Sequence, residues 1–266
     1  MPRLTHFLSI PLVTPASRPL LAAKLAAFRA DPAVRDAIPP DAIRPLGTLH
    51  LTLGVFSFPP AGSAVPEGEE PGPARFARAR ALLAKLPLQA MWRAAGAATA
   101  PGGRVPTEEE LRAAPQAGGD DPVRVTLKGL RSMTAAPEAA GVLYVPVEDD
   151  EGGRFKSFCE VVRGEFAREG LLVEEERGLL LHATVVNTVY CREKGKGKGR
   201  GKGIRGRGGG RVKVDAREVL ERWGGEVWLE GGVVEGVGIC EMGAKRVEGE
   251  KGEGEMKLGE SKGGSE

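Results

Sequence analysis

The chain has 266 residues, 41% of them hydrophobic, and a formal net charge of +2. That is enough for one large domain or two lobes with a buried core. No apolar run reaches the ~18 residues of a membrane helix, and the N-terminal strand-like segment is too short and too alternating for a signal peptide. Three scattered cysteines, Cys159, Cys191 and Cys240, have no C-x-x-C spacing. They point away from a zinc ribbon or disulfide framework and toward the cytosol or nucleus.

In chain order, residues 5–12 read as a first strand, with Pro11 near its end. Residues 17–30 read as a helix: Pro19 sits in the first turn, and Leu21, Leu25 and Phe28 form an apolar stripe. A Pro-rich connection, 31–45, leads to a strand at 48–55. There Thr48, His50, Thr52 and Gly54 share one face, and Leu49, Leu51, Leu53 and Val55 the other. A loop, 59–73, precedes a helix at 74–86 with Phe76, Leu83 and Leu86 on one side. Residues 89–122 are rich in Ala, Gly and Pro and read as a loose insert, with a capping box from Thr107 to Glu110.

Strands are expected at 123–130 and 142–147, as a hairpin around 133–141. A helix at 154–169 carries Phe155, Phe158, Val162 and Phe166 at helical spacing and stops at Gly170. The apolar strand 179–190 places Leu181, Ala183, Val185 and Val189 on one face and Leu180, His182, Thr184, Val186 and Thr188 on the other. After a basic insert at 192–213 come a short helix, 215–223, strands at 227–229 and 233–242, and a Gly/Glu/Lys tail, 247–266, that reads as disordered. The order implies an α+β fold in one domain, residues 1–246: two pseudo-symmetric lobes of antiparallel sheet with flanking helices around a central cleft.

Two of the three histidines open the same pattern, His50-Leu51-Thr52-Leu53 and His182-Ala183-Thr184-Val185. Thr is scarce, ten in the chain, so two such coincidences among three histidines have a chance of roughly half a percent. The pair is therefore treated as a site. In a strand, residues two apart share a face, so each motif offers an imidazole beside a hydroxyl. With an ordinary pKa near 6.5, one imidazole can act as base while the other, protonated, acts as acid. Thr52 and Thr184 can donate to the non-bridging oxygens of a phosphate. No metal or other cofactor is expected, because two histidines without a nearby carboxylate or cysteine cluster fall short of the usual zinc ligand set.

The paired motifs resemble the 2H phosphoesterase superfamily, typified by bacterial 2′-5′ RNA ligase and cyclic nucleotide phosphodiesterases. The segments 5–12, 46–53 and 181–188 are more closely similar to the 2′-5′ RNA ligase-like domain of A-kinase anchor proteins and of the activating signal cointegrator complex. That resemblance covers roughly residues 3–246. It implies a 2′-5′ RNA ligase-like fold and metal-independent hydrolysis of 2′,3′-cyclic phosphate or 2′-5′ phosphodiester linkages, with His50 and His182 catalytic and Thr52 and Thr184 binding phosphate. No KH-type Gly-x-x-Gly module and no kinase-anchoring amphipathic helix is apparent, so the domain is expected to stand alone.

The third histidine, His6, reads first as a strand-end residue with a polar partner and second as a base contact at the cleft edge. Ten Lys/Arg against Glu193 give residues 192–213 a net charge of +9 and leave the rest at −7. Lys194, Lys196, Lys198, Arg200 and Lys202 could contact an RNA backbone, or the segment could serve nuclear import. A Gly-rich coil of about twenty residues spans roughly 25 Å, so it reaches the cleft only by folding back. Expected partners are RNA ends or a small nucleotide, without membrane, and the protein is expected to be a monomer of the cytoplasm or nucleus. The competing readings are a non-catalytic AMP- or RNA-binding module of a nuclear coactivator or repair assembly, and an RNA-binding accessory driven by the basic insert.

Overall fold

The structure, a computed structural model, describes residues 2–64, 68, 70–98, 122–148, 153–174, 178–191, 212–247 and 255–262. Its strands are β1 (His6–Pro11), β2 (His50–Phe56), β3 (Arg124–Lys128), β4 (Arg131–Ser132), β5 (Val142–Glu148), β6 (His182–Asn187), β7 (Val227–Val233), β8 (Gly238–Val247) and β9 (Glu255–Lys262). They join in the order β7-β3-β5-β6-β2-β1-β8-β9, with β4 paired to β5. Every pairing is antiparallel. The helices are α1 (Arg18–Ala30), α2 (Pro32–Ala37), α3 (Gly72–Lys85), α4 (Leu88–Ala98), α5 (Arg154–Arg168) and α6 (Arg217–Trp223). The α+β class is as expected. The two motif strands, β2 and β6, are neighbours at the middle of the sheet, where its halves meet.

Helices form where apolar residues recur on one face. Leu21, Leu25 and Phe28 of α1 are buried, as are Phe155, Phe158, Val162 and Phe166 of α5. Phe28 meets Trp223 edge-on at 4.9 Å and Trp228 at 5.4 Å, tying α1 to α6 and β7. One continuous hydrophobic cluster runs through both halves. Among the described residues, no helix is long and apolar enough to cross a membrane.

Three expectations need correction. The first part of the supposed loose insert is helix α4, with Met91, Trp92, Ala94 and Ala95 buried. Its alanines, read as signs of looseness, favour helix once Met91 and Trp92 have an apolar surface to cover. Residues 99–121 of that insert, with the capping box, lie outside the described residues. The second motif strand is shorter than its apolar run: it ends at Asn187, whose side chain accepts from the Val189 amide and starts a 3-10 turn. Val189 is consequently exposed. Finally, Glu255–Lys262 of the tail pairs with β8; its composition argues against a core but not against a backbone ladder.

Asp31 joins elements distant in sequence. It caps α2 by accepting from the Ala33 amide at 2.9 Å, and its other oxygen accepts from Arg222 at 3.0 Å and the Trp223 indole at 3.4 Å. Asp31→Ala removes the cap and leaves the indole N–H without this acceptor. It is expected to cost about 1–2 kcal/mol, measured as a lower urea midpoint with an unchanged slope.

Candidate active site

The two halves meet through one register point, Leu51 opposite Ala183. These are the middle residues of the two motifs. On either side of this point His50 and Thr52 of β2, and His182 and Thr184 of β6, share the face opposite Leu51 and Ala183. The two imidazoles and the two hydroxyls thus lie on one side of the sheet. Leu51 and Ala183, on the opposite face, are buried.

Each half builds its motif in the same way. The residue paired with the histidine is a proline, Pro11 on β1 and Pro146 on β5. The partner of the threonine is Ser9 in one half and Tyr144 in the other. Immediately beyond, both registers slip: Leu8 pairs with Gly54 and Leu143 with Val186. The extra residue of each bulge is the fourth of its motif, Leu53 or Val185, and both are buried. Bulges bend a strand and re-aim its side chains. The hydrophobic fourth residue thus anchors the bend that ends the His/Thr face.

Beyond the Leu51–Ala183 contact the motif strands diverge, and each is extended by chain from the other half. Ile43 bridges to Val186, and the Arg44 amide donates to the Val185 carbonyl at 2.7 Å. Reciprocally, Leu172 bridges to Phe56 and the Val173 amide donates to Val55 at 2.9 Å. Gly54 admits this crossing, since a Cβ there would stand 2.8 Å from a Leu172 methyl group.

The imidazoles are held alike. His50 Nδ1 lies 2.7 Å from the Thr48 carbonyl and His182 Nδ1 2.8 Å from the Leu180 carbonyl. A carbonyl only accepts, so Nδ1 carries the proton in both rings. In the neutral ring Nε2 then holds the lone pair, and among the described residues neither Nε2 has a hydrogen-bond partner. Their surroundings differ. Phe7 stacks on His50 at 4.7 Å, whereas Tyr144 meets His182 edge-on at 5.2 Å. Burial, opposed by the Thr48 bond and aided by the nearby charges of Arg44 and His182, lowers the His50 pKa to about 4. His50 is therefore neutral at physiological pH.

The other predicted residues fall elsewhere. His6 is not brought to the motif histidines: it pairs with Phe56, at the opposite end of β2 from His50. Its ring lies 4.8 Å from Phe76 and 5.2 Å from Phe58, and its Nδ1 is 2.9 Å from Thr5 Oγ1. Lys194, Lys196, Lys198, Arg200 and Lys202 lie outside the described residues. Among the described residues, no three His, Cys, Asp or Glu side chains gather where they could hold a metal ion. Sequence reasoning missed Arg44, a cation in the Pro-rich connection six residues before His50, whose guanidinium lies over the Tyr190 ring at 3.9 Å. An arginine inside Ile43-Arg44-Pro45, otherwise apolar and just upstream of a motif strand, was the available signal.

The family model for the AKAP7 2′5′ RNA ligase-like domain matches residues 106–251. That span holds the second motif, while His50 lies before it and joins through strand pairing. Among solved structures, a phosphoesterase is similar at 13% identity and a TM-score of 0.42, covering 98% of this chain and 96% of that one. E. coli LigT, solved in complex with 3′-AMP and with NADP+, is similar at 13% identity and a TM-score of 0.42, covering 97% of this chain and 95% of the other in both cases.

Proposed function

The chain belongs to the AKAP7 2′5′ RNA ligase-like domain family, and on that premise we propose that it hydrolyses 2′,3′-cyclic phosphate or 2′-5′ phosphodiester linkages of RNA ends or small nucleotides. The observation that carries this reading is the Leu51–Ala183 register, which supports two imidazoles and two hydroxyls acting on one phosphate. His50, neutral at physiological pH with Nε2 as its acceptor, is the base that takes the proton from the attacking water. His182 is the acid that returns a proton to the leaving ribose oxygen. Thr52 and Thr184 donate to the non-bridging oxygens as charge gathers on them. The water adds to phosphorus, the P–O bond to the leaving oxygen breaks, and one proton enters as one leaves. The products are a phosphomonoester and a free hydroxyl.

The test is turnover of 2′,3′-cyclic AMP, 2′-5′ oligoadenylate and RNA ending in a cyclic phosphate, each with and without chelator. Hydrolysis of at least one, undiminished by chelator, is expected. Thr52→Val and Thr184→Val should each lower kcat about 10- to 30-fold, the contribution of one charge-assisted hydrogen bond. Binding of nucleotide without turnover of any substrate would instead favour a recognition module.

A further inference from the structure

Arg44 is placed by its backbone, which bonds to Val185 on one side and accepts from Arg29 at 3.2 Å on the other. Its guanidinium is partly buried, and burial lowers its pKa. Among the described residues no carboxylate pairs with it, and its N–H groups have no acceptor. A charge half-removed from water without a counter-ion is destabilising, so the arrangement suits a site whose counter-ion arrives with a ligand. Tyr190 covers one flat face of the guanidinium at 3.9 Å and is itself 45% exposed. The fork of N–H donors at the guanidinium edge is left for an anion. Arg44 is close enough to His50 to act on its charge, yet its ring partner Tyr190 belongs to the turn after β6, three residues beyond the end of the strand that carries His182 and Thr184. The reacting phosphate already has two hydroxyls and two imidazoles.

We infer that Arg44, carried on Tyr190, binds a second phosphate of the nucleotide substrate, one ribose removed from the phosphate held by the two motifs. The inference rests on the function proposed above. It makes the site selective for 5′-phosphorylated or oligonucleotide substrates over isolated cyclic mononucleotides.

Calorimetric titration tests this without turnover. Adenosine 2′-monophosphate carries only the first phosphate; adenosine 2′,5′-bisphosphate carries both. The wild-type protein should bind the bisphosphate about 10- to 100-fold more tightly, as a charge-assisted Arg–phosphate contact provides. In Arg44→Gln the ratio of the two affinities should collapse to about one. Arg44→Lys, which keeps the charge but loses the fork and the stacking, should give an intermediate ratio. An unchanged ratio in Arg44→Gln, or equal affinities in the wild type, would overturn the inference alone. Wild-type protein that binds neither nucleotide would overturn the functional reading along with it.

Discussion

Replacing either motif histidine is expected to lower turnover about a thousandfold. In the proposed mechanism His50→Ala removes the acceptor for the water proton, and His182→Ala the donor to the leaving oxygen; general acid or base catalysis contributes about 10²- to 10⁴-fold. Because the two act in one transition state, the double variant should lose little more than the worse single variant. His6→Ala is the internal comparison: its ring lies against Phe58 and Phe76, away from the motif pair, so kcat/KM should stay within a few-fold of wild type. Rates at saturating substrate, together with thermal midpoints, separate lost chemistry from lost folding. Full activity in either motif variant would contradict the assigned roles.

The second large effect is on stability. His50 has a pKa of about 4 in the fold against about 6.5 in an unfolded chain. The folded state thus disfavours the imidazolium, and below pH 6.5 the unfolded chain binds more protons. Stability is full above about pH 6.5, falls with pH, and stops falling from this cause near pH 4. The gap between the two pKa values corresponds to roughly 3 kcal/mol. The cause is packing: Phe7 covers the ring and Arg44 and His182 repel added charge. Urea unfolding at pH 7 and pH 4 checks it. Wild type should lose roughly 3 kcal/mol more than His50→Gln across that interval, and equal losses would refute the assignment. The same depression should place the acid limb of the kcat/KM profile near pH 4 rather than near 6.5, because the base works only when neutral.

Much of this was legible in the sequence where local periodicity sufficed. The alternation around His50 and His182 marks both motif strands, and the spacing of Phe155, Phe158, Val162 and Phe166 marks α5. The repeated pattern alone points to the four proposed site residues. What local pattern cannot carry is which strands pair and in what register. Leu51 opposite Ala183 and the exchange of residues 43–44 and 172–173 between halves join residues more than a hundred positions apart, and the matched bulges at Leu53 and Val185 depend on strands more than forty positions away. Helix α4 is hidden from a local reading for a related reason: its Ala-rich face becomes a helix signal only when α5 supplies the surface that buries Met91 and Trp92. The different surroundings of the two histidines also come from tertiary neighbours. Their motifs are nearly alike, so no reading of the tripeptides could distinguish the proposed base from the proposed acid.

The most direct measurement is a long-range proton–nitrogen NMR titration of the histidine-labelled protein with adenosine 2′-monophosphate. Three histidines make the spectrum assignable by single substitutions. The Nε2 resonances of His50 and His182 are expected to shift together and saturate with one common Kd, with both rings keeping the proton on Nδ1 and His6 staying still. A shift at only one of the two, or saturation with two different constants, would contradict the claim that both imidazoles meet at a single phosphate.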